Sequence, residues 1–170
     1  CLACSSVTKQ LVFGFQSTQK VFANSLAIFA LDRFSHFAVL QSSVHYHWAM
    51  KMGSRMGKAL RYTPSTIFET FPFPHVSENI EIELEEKGRA LYHARLDYMN
   101  AHQIGMTETW NRIREPSNKH FKDKDVNELR TKYYEMDLAV LKAYGWEDID
   151  PKDSTKITER LRKCNIERAL

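Results

Sequence analysis

The sequence predicts an α+β fold, with short antiparallel strands at the N-terminus followed by a mainly helical C-terminal part. Residues 1–32 are predicted to form strands, because an alternating pattern over 11–16 is followed by further apolar stretches at 21–22 and 26–31. From Ser77 onward apolar residues recur every three or four positions, which is typical of amphipathic helices. With 170 residues, 43% of them hydrophobic, the chain is long enough for an ordinary domain with a real core. Strands first and helices afterwards indicate two layers or two subdomains.

Two stretches account for the predicted strands. Apolar residues alternate over 11–15, and a polar turn is expected at 17–20. The apolar pair at 21–22 then leads to the apolar run 26–31, whose continuity predicts a strand covered on both faces. Because a sheet of two strands is marginal alone, its other strands are expected upstream.

A single helix is predicted from Ser35, as its cap, to Gly53, since glycine accepts the left-handed conformation that follows many helices. Its apolar stripe is Phe37, Leu40, Val44 and Trp48. Residues 53–76 are predicted to form a loop, because residues that precede proline favour extended backbone. The expected apolar anchors of that loop are Ile67, Phe68, Phe71 and Phe73.

Further helices are predicted toward the C-terminus. The first runs from Ser77 to about Gly105, and Thr107 caps a short one that stops before Pro116. The D-x-x-E pattern beginning at Asp125 has the form of a capping box and opens a helix closed by Gly145. A last helix follows Pro151, with an apolar face of Ile157, Leu161 and Cys164.

Positive charge is concentrated in the first half of the chain. Residues 1–80 carry seven Lys or Arg and three acidic residues, and the remainder is nearly balanced. No acid lies between Asp32 and Glu69, whereas five Lys or Arg and three His do. Such a stretch can approach phosphates at low electrostatic cost, because each neutralised phosphate releases a counterion. The alternative is a solvated basic loop without a partner.

No motif in the sequence predicts a catalytic, cofactor-binding or metal-binding residue. The E-x-K pattern of Glu85 to Lys87 lies in a helical stretch without a strand-borne Asp to share a magnesium ion. His45 and His47 diverge on a helix, so a surface and a half-buried histidine are expected. The cysteines are expected to be reduced thiols. No apolar run reaches the length of a membrane span.

Five strings of the sequence, in this order, resemble one protein family. They are HFAVLQSSVH at 36–45, LRYTPS at 60–65, FETFPFP at 68–74, GMTETWNR at 105–112 and AVLKAYGW at 139–146. The sequence is similar over residues 8–149 to the C-terminal part of the MmeI-like enzymes. In these fused type II restriction–modification proteins, one polypeptide holds a nuclease, an adenine-specific DNA methyltransferase and a target recognition domain.

The resemblance implies a division of the chain. Residues 1–76 would be the C-terminal portion of a DNA target recognition domain, 77–150 a helical C-terminal domain, and 151–170 a helical tail without a counterpart. The fragment itself would not be an enzyme. S-adenosylmethionine, and Mg²⁺ if a nuclease is present, would serve upstream domains of a parent enzyme in the bacterial cytoplasm. The expected partners are double-stranded DNA and the upstream methyltransferase domain of the same chain, with no membrane.

The cationic segment between residues 51 and 61 is the predicted DNA-reading element. Its expected DNA-binding residues are Lys51, Ser54, Arg55, Lys58 and Arg61. Arginine can donate two hydrogen bonds to guanine, whereas lysine serves phosphates equally well, so base readers and phosphate contacts are not separated. An ion pair with Glu69 is the alternative for Arg61.

DNA sequence recognition, combined with structural support, is the predicted function within a type II restriction–modification DNA methyltransferase. The alternative is a helical scaffold that braces the recognition domain without touching DNA. A free-standing enzyme is a third class, which the missing motifs disfavour.

Overall fold

Short strands precede a mostly helical remainder in the computed structural model, which describes residues 1–169. Helix accounts for 54% and strand for 11%, so the predicted α+β fold is confirmed. Leu170, the last residue of the predicted tail, lies outside the described residues. The strands are β1 (Leu2–Ser5), β2 (Val7–Thr8), β3 (Gly14–Phe15), β4 (Leu26–Phe29), β5 (Ser54–Met56) and β6 (Ala59–Arg61). The helices are α1 (Phe34–Gln41), α2 (Ser43–Met52), α3 (Pro64–Ile67), α4 (Glu78–His102), α5 (Met106–Arg114), α6 (Lys124–Ala143) and α7 (Ser154–Ala169).

Residues 2–8 connect two small antiparallel sheets. One sheet has the order β3-β1-β4, and the other has the order β2-β6-β5. Ser6 lies between them, where its N–H donates to the carbonyl of Ser25 and its carbonyl accepts from the N–H of Tyr62, each at 2.8 Å. Because one extended segment pairs first with β4 and then with β6, the second sheet is held to the body by backbone hydrogen bonds.

The strands differ from the prediction in several places. β1 and β2 lie within the region predicted to contain strands but were not predicted individually, and the predicted strand over 11–15 is reduced to β3. Phe13 lies just outside β3 and is not paired with a strand within residues 1–169. Its N–H donates instead to the side-chain Oε1 of Gln41 at 2.9 Å. The predicted strand at 21–22 is wrong, since Val21 lies fully exposed in a loop. The two-sided cover expected for β4 is also wrong, because Ile28 is exposed while its neighbours are buried.

The single helix predicted from Ser35 to Gly53 is two helices. Ser42 breaks it with an extended backbone, and its hydroxyl accepts from the N–H of His45 as the cap of α2. The predicted cap Ser35 instead lies within α1, and its N–H donates to Glu85 Oε2 at 2.8 Å. The predicted end at Gly53 is correct, but the left-handed conformation is not, since its φ is −77°. A side chain there would lie 2.5 Å from a methyl group of Leu60.

The later helices begin and end close to the predicted positions, with different caps. Gly105, rather than Thr107, precedes α5. Asp123 precedes α6, so the capping box predicted at Asp125 is wrong. Asp125 instead contacts His102, with 2.6 Å between its Oδ2 and the His102 Nε2. The predicted stop at Gly145 is confirmed, and its φ is +70°.

One cluster of buried apolar side chains runs through the strands and helices. α4 packs between α1 and α6, and α7 packs on α2. The predicted apolar face of α7 is confirmed, since Ile157 and Leu161 are fully buried. The predicted anchors of the 53–76 segment are also confirmed, with Ile67 and Phe71 buried and the remaining two partly buried against the same cluster.

Candidate nucleic-acid interface

The segment predicted as a loop begins with a β-hairpin. β5 and β6 pair with a two-residue connection, Gly57-Lys58, between Met56 and Ala59. Gly57 has a φ of +60°, a conformation that glycine adopts without strain, and glycine at the first position of such a loop is typical of type II′ turns. Leu60 is buried and ties the hairpin to the core. We call residues 54–61 the basic hairpin.

The predicted DNA-binding residues all lie on or beside the basic hairpin. Lys51 occupies the last turn of α2, Ser54 and Arg55 lie on β5, Lys58 is in the turn, and Arg61 is on β6. All of these side chains are exposed, and none has a side-chain hydrogen bond or an ion pair within residues 1–169. The alternative ion pair between Arg61 and Glu69 is therefore absent there. Their contact with DNA stays a prediction.

The strand register separates the two arginines of the basic hairpin. Ser54 is paired with Arg61, and Arg61 is paired with Val7 of β2, so these three residues share one face of the sheet. Arg55 is paired with Leu60, the neighbour of Arg61 along the chain. Because successive residues of a strand point to opposite faces, Arg55 and Arg61 lie on opposite faces.

Residues outside the predicted set also belong to this surface. Val7 is 43% exposed beside Arg61, and Met56 is 56% exposed on the same face. Lys9, which is exposed, directly follows β2. No sequence signal indicated Val7 or Lys9, because their proximity to β6 depends on pairing between distant segments. The turn signal of Gly57 was present in the sequence and was missed.

The two histidines of α2 differ from the expected surface and half-buried pair, since His45 is completely buried. Its Nδ1 lies 2.8 Å from the carbonyl of Leu40, which can only accept, so Nδ1 carries the proton. Nε2 then accepts from the hydroxyl of Tyr62 at 3.1 Å. Burial lowers the pKa of His45 to about 4. His47 is partly buried, as expected for one of the two, and burial lowers its pKa.

Other groups considered for chemistry have structural contacts. Glu85 accepts from Ser35 and Arg89, and Lys87 pairs with Glu135. Over residues 1–169, no cluster of three His, Cys, Asp or Glu side chains is arranged to hold a metal ion. Burial raises the pKa of the Cys4 thiol to about 12. None of the helices in that range is long and apolar enough to cross a membrane.

Comparison with known proteins supports the family resemblance. Residues 3–75 match the family model described as MmeI, target recognition domain. The fold matches a solved structure of the type IIL restriction–modification enzyme MmeI in complex with DNA, with a TM-score of 0.75 and 21% sequence identity. That match covers 99% of this chain and 21% of the solved chain, so this chain spans about a fifth of the enzyme's length. No curated protein sequence matches. Residues 3–75 therefore resemble the target recognition domain of MmeI, and the chain shares its fold with the corresponding fifth of the solved enzyme.

Proposed function

We propose that the chain is the DNA sequence-recognition and C-terminal structural part of a type II restriction–modification DNA methyltransferase. The observation that carries this proposal is the basic hairpin, whose exposed cations have no acidic partner within residues 1–169. It lies inside the segment that matches the target recognition model. The solved enzyme with the same fold is in complex with DNA. The proposed partner is accordingly double-stranded DNA.

The hairpin geometry suits the major groove, which accepts a two-stranded β-ribbon. On one face, Arg61 can donate two hydrogen bonds to guanine, and Val7 beside it offers an apolar contact for a thymine methyl group. Ser54 adds a hydroxyl that can donate or accept. Arg55 on the opposite face is directed away from this row, which suits a phosphate. We therefore propose that the residues on the Arg61 face read bases. Arg55, Lys51 and Lys58 would contact the phosphates of the DNA backbone.

Catalysis is proposed to belong to other parts of the parent enzyme. The chain corresponds to 21% of the solved enzyme, which leaves ample length for a methyltransferase and a nuclease. S-adenosylmethionine, and Mg²⁺ if the nuclease is present, would be bound there, in the bacterial cytoplasm. The upstream methyltransferase domain is the second proposed partner, and this fragment has no catalytic role.

A bracing role without DNA contact is the second candidate, and a specific set of contacts favours it. The helical part holds the FETFPFP segment, since the hydroxyl of Tyr144 donates to the carbonyl of Pro72 at 2.8 Å. The Asn165 amide likewise donates to the carbonyl of Thr70 at 2.5 Å. Tyr144 at the C-terminal end of α6 and Asn165 of α7 thereby support the segment that follows the basic hairpin.

Fluorescence anisotropy with a random-sequence duplex at two salt concentrations separates the two candidates. DNA recognition predicts binding that weakens steeply with salt, by about 0.9 in the logarithmic slope for each neutralised phosphate. The matched variant replaces Lys51, Arg55, Lys58 and Arg61 by glutamine, and it should fold normally because all four side chains are exposed. Absence of binding by the unmodified chain at low salt would favour the scaffold.

A further inference from the structure

A cleft of about 700 Å³ lies among α2, α5, α6 and the turn that precedes α7. We call it the α2–α6 cleft. It is separate from the basic hairpin, and neither the family match nor the predicted site residues include its α5 and α6 walls. The residues that matter for its chemistry are Tyr46, Trp110, Arg114, Arg130, Asp137 and Lys152.

Arg114 is an exposed cation fixed by aromatic rings. Its guanidinium carbon lies 4.8 Å from the centroid of Trp110 and 5.2 Å from that of Tyr46. The two rings restrict the position of the guanidinium, and no carboxylate pairs with it in the described part of the chain. Its N–H donors are therefore not used by an acidic partner there. Such a pre-organised planar donor set matches the oxygens of a phosphate.

The remaining charges leave the cleft positive. Arg130 and Lys152 also line it, and Asp137 is the single acid among its lining residues. The charge of Asp137 is partly compensated, because its Oδ1 accepts from the N–H of Ser43 at 2.7 Å, in the first turn of α2. Burial raises the pKa of Asp137 to about 6, which further limits negative charge below that pH.

A buried cation, Arg95, is hydrogen-bonded to residues that line the cleft. Arg95 is completely buried, and no carboxylate pairs with it within residues 1–169. Its guanidinium donates to Gln41 and to the hydroxyl of Tyr133, both of which line the cleft. The hydrogen-bonded floor therefore carries the field of a positive charge that the interior does not neutralise.

We infer that the α2–α6 cleft is a second DNA contact, which binds a backbone phosphate outside the sequence read by the basic hairpin. The inference rests on the proposed function. Tyr46, which lines the cleft, and Gly53, which directly precedes the basic hairpin, are seven positions apart along α2, or about 10 Å. That is about three base-pair steps of roughly 3.4 Å each. A duplex that binds the hairpin and runs along α2 would therefore pass the cleft within a few base pairs.

The test compares Arg114→Ala with the unmodified chain in binding a random-sequence duplex. We expect binding roughly five- to tenfold weaker at low salt, a salt slope smaller by about one, and no change in sequence preference. The matched control is Arg89→Ala, which removes an exposed arginine that also stacks on an aromatic ring, Phe34, at 4.8 Å but is paired with Glu85. It should leave binding unchanged. Thermal unfolding of each variant verifies that the fold is retained.

The indole N–H signal of Trp110 in a two-dimensional NMR spectrum reports on the cleft directly. The duplex should shift it in the unmodified chain and in the Arg55→Gln/Arg61→Gln variant at higher DNA concentration. A shift with inorganic phosphate but not with the duplex would identify a small-anion site and overturn the inference. Duplex binding that is unaffected by Arg114→Ala would overturn it while the proposed function stands. Failure of the unmodified chain to bind any duplex would overturn both.

Discussion

The guanidinium of Arg95 donates a hydrogen bond of 2.8 Å to the backbone carbonyl of Phe13. Gln41 completes the arrangement, since its Oε1 accepts from the N–H of Phe13 at 2.9 Å and from Arg95 at 3.2 Å. An arginine of α4 and a glutamine of α1 thus satisfy a strand-like segment that has no sheet partner at this point. The segment around Phe13 and helices α1 and α4 are consequently joined by polar contacts inside the core as well as by apolar packing.

Replacement of Arg95 by leucine should destabilise the chain by about 1–3 kcal/mol, because the carbonyl of Phe13 would be left buried without a donor. Urea unfolding followed by circular dichroism measures the change. Arg89→Ala, at an exposed position on the same helix, should cost less than about 1 kcal/mol. Equal losses in the two variants would contradict a special role for the buried guanidinium.

Gly88 is the point where α4 approaches α1 most closely, and Gly88→Ala should therefore be destabilising. The added Cβ would overlap the carbonyl oxygen of Phe34 and lie 3.2 Å from the Cβ of Ala38. Overpacking of this kind costs about 1–3 kcal/mol, which offsets or exceeds the roughly 1 kcal/mol that alanine gains over glycine in helix propensity. Gly14→Ala is the control, since nothing lies within 4 Å of its Cβ position. A gain in thermal stability for Gly88→Ala would show that the helices can separate freely.

Asp137 and His45 should affect the pH dependence of stability in opposite directions. The pKa of Asp137 is raised to about 6 in the fold by burial, so the folded state binds more protons between pH 4 and 6 and loses stability as pH rises. The pKa of His45 is lowered to about 4 by burial, so stability instead increases as pH rises from 4 to 6.5. His36 and His47, whose pKa values burial also lowers, act in the same direction as His45.

In the Asp137→Asn variant, the pH dependence of stability should therefore be dominated by the buried histidines. The asparagine oxygen can still accept from Ser43, and the charge that burial penalises is gone. We expect a gain of about 1–3 kcal/mol at pH 7 that vanishes near pH 4, with a steeper rise of stability over pH 4–6.5 than in the unmodified chain. Urea titrations at several pH values measure it. A variant curve parallel to the original would contradict the assignment.

Arg55→Ala and Arg61→Ala should have different effects on DNA binding, because the two side chains lie on opposite faces. Loss of a bidentate base contact at Arg61 should cost about 1–3 kcal/mol and relax preference at one position of the bound sequence. Loss of a phosphate contact at Arg55 should weaken all sequences equally and reduce the salt slope by about one. Selection from a randomised duplex pool, with anisotropy, distinguishes the outcomes. No change for one of the variants would remove that arginine from the interface.

Periodicity predicted the long helices well, because burial of one face leaves a regular apolar pattern. The apolar positions of α7 and the glycine stop at Gly145 are examples. Helix caps were predicted poorly, because the polar groups expected to form them make hydrogen bonds with distant residues instead. Asp125 contacts His102 instead of capping α6, and Glu85 takes the N–H of Ser35. Neither partner is near in sequence.

Charge selected most of the predicted site residues, but it did not predict their arrangement. Arg55 and Arg61 are six residues apart, a spacing that in a continuous strand would place them on one face. The turn at Gly57-Lys58 reverses the chain between them, and the pairing of Arg55 with Leu60 puts them on opposite faces. The contribution of Val7 depends on β2, which has too few residues to show a pattern. Long-range pairing, rather than local preference, determines this surface.

Leu60 is the one buried residue of the basic hairpin, and the other positions from 54 to 61 are exposed or partly exposed. The hairpin's sheet pairing with the rest of the chain involves only two residues of β2. Substitutions at its remaining positions should thus leave the folding free energy nearly unchanged, provided that Gly57 keeps its turn. The surface proposed to choose the DNA sequence can therefore diversify with little constraint from foldability, so new specificities could arise without compensating changes in the core.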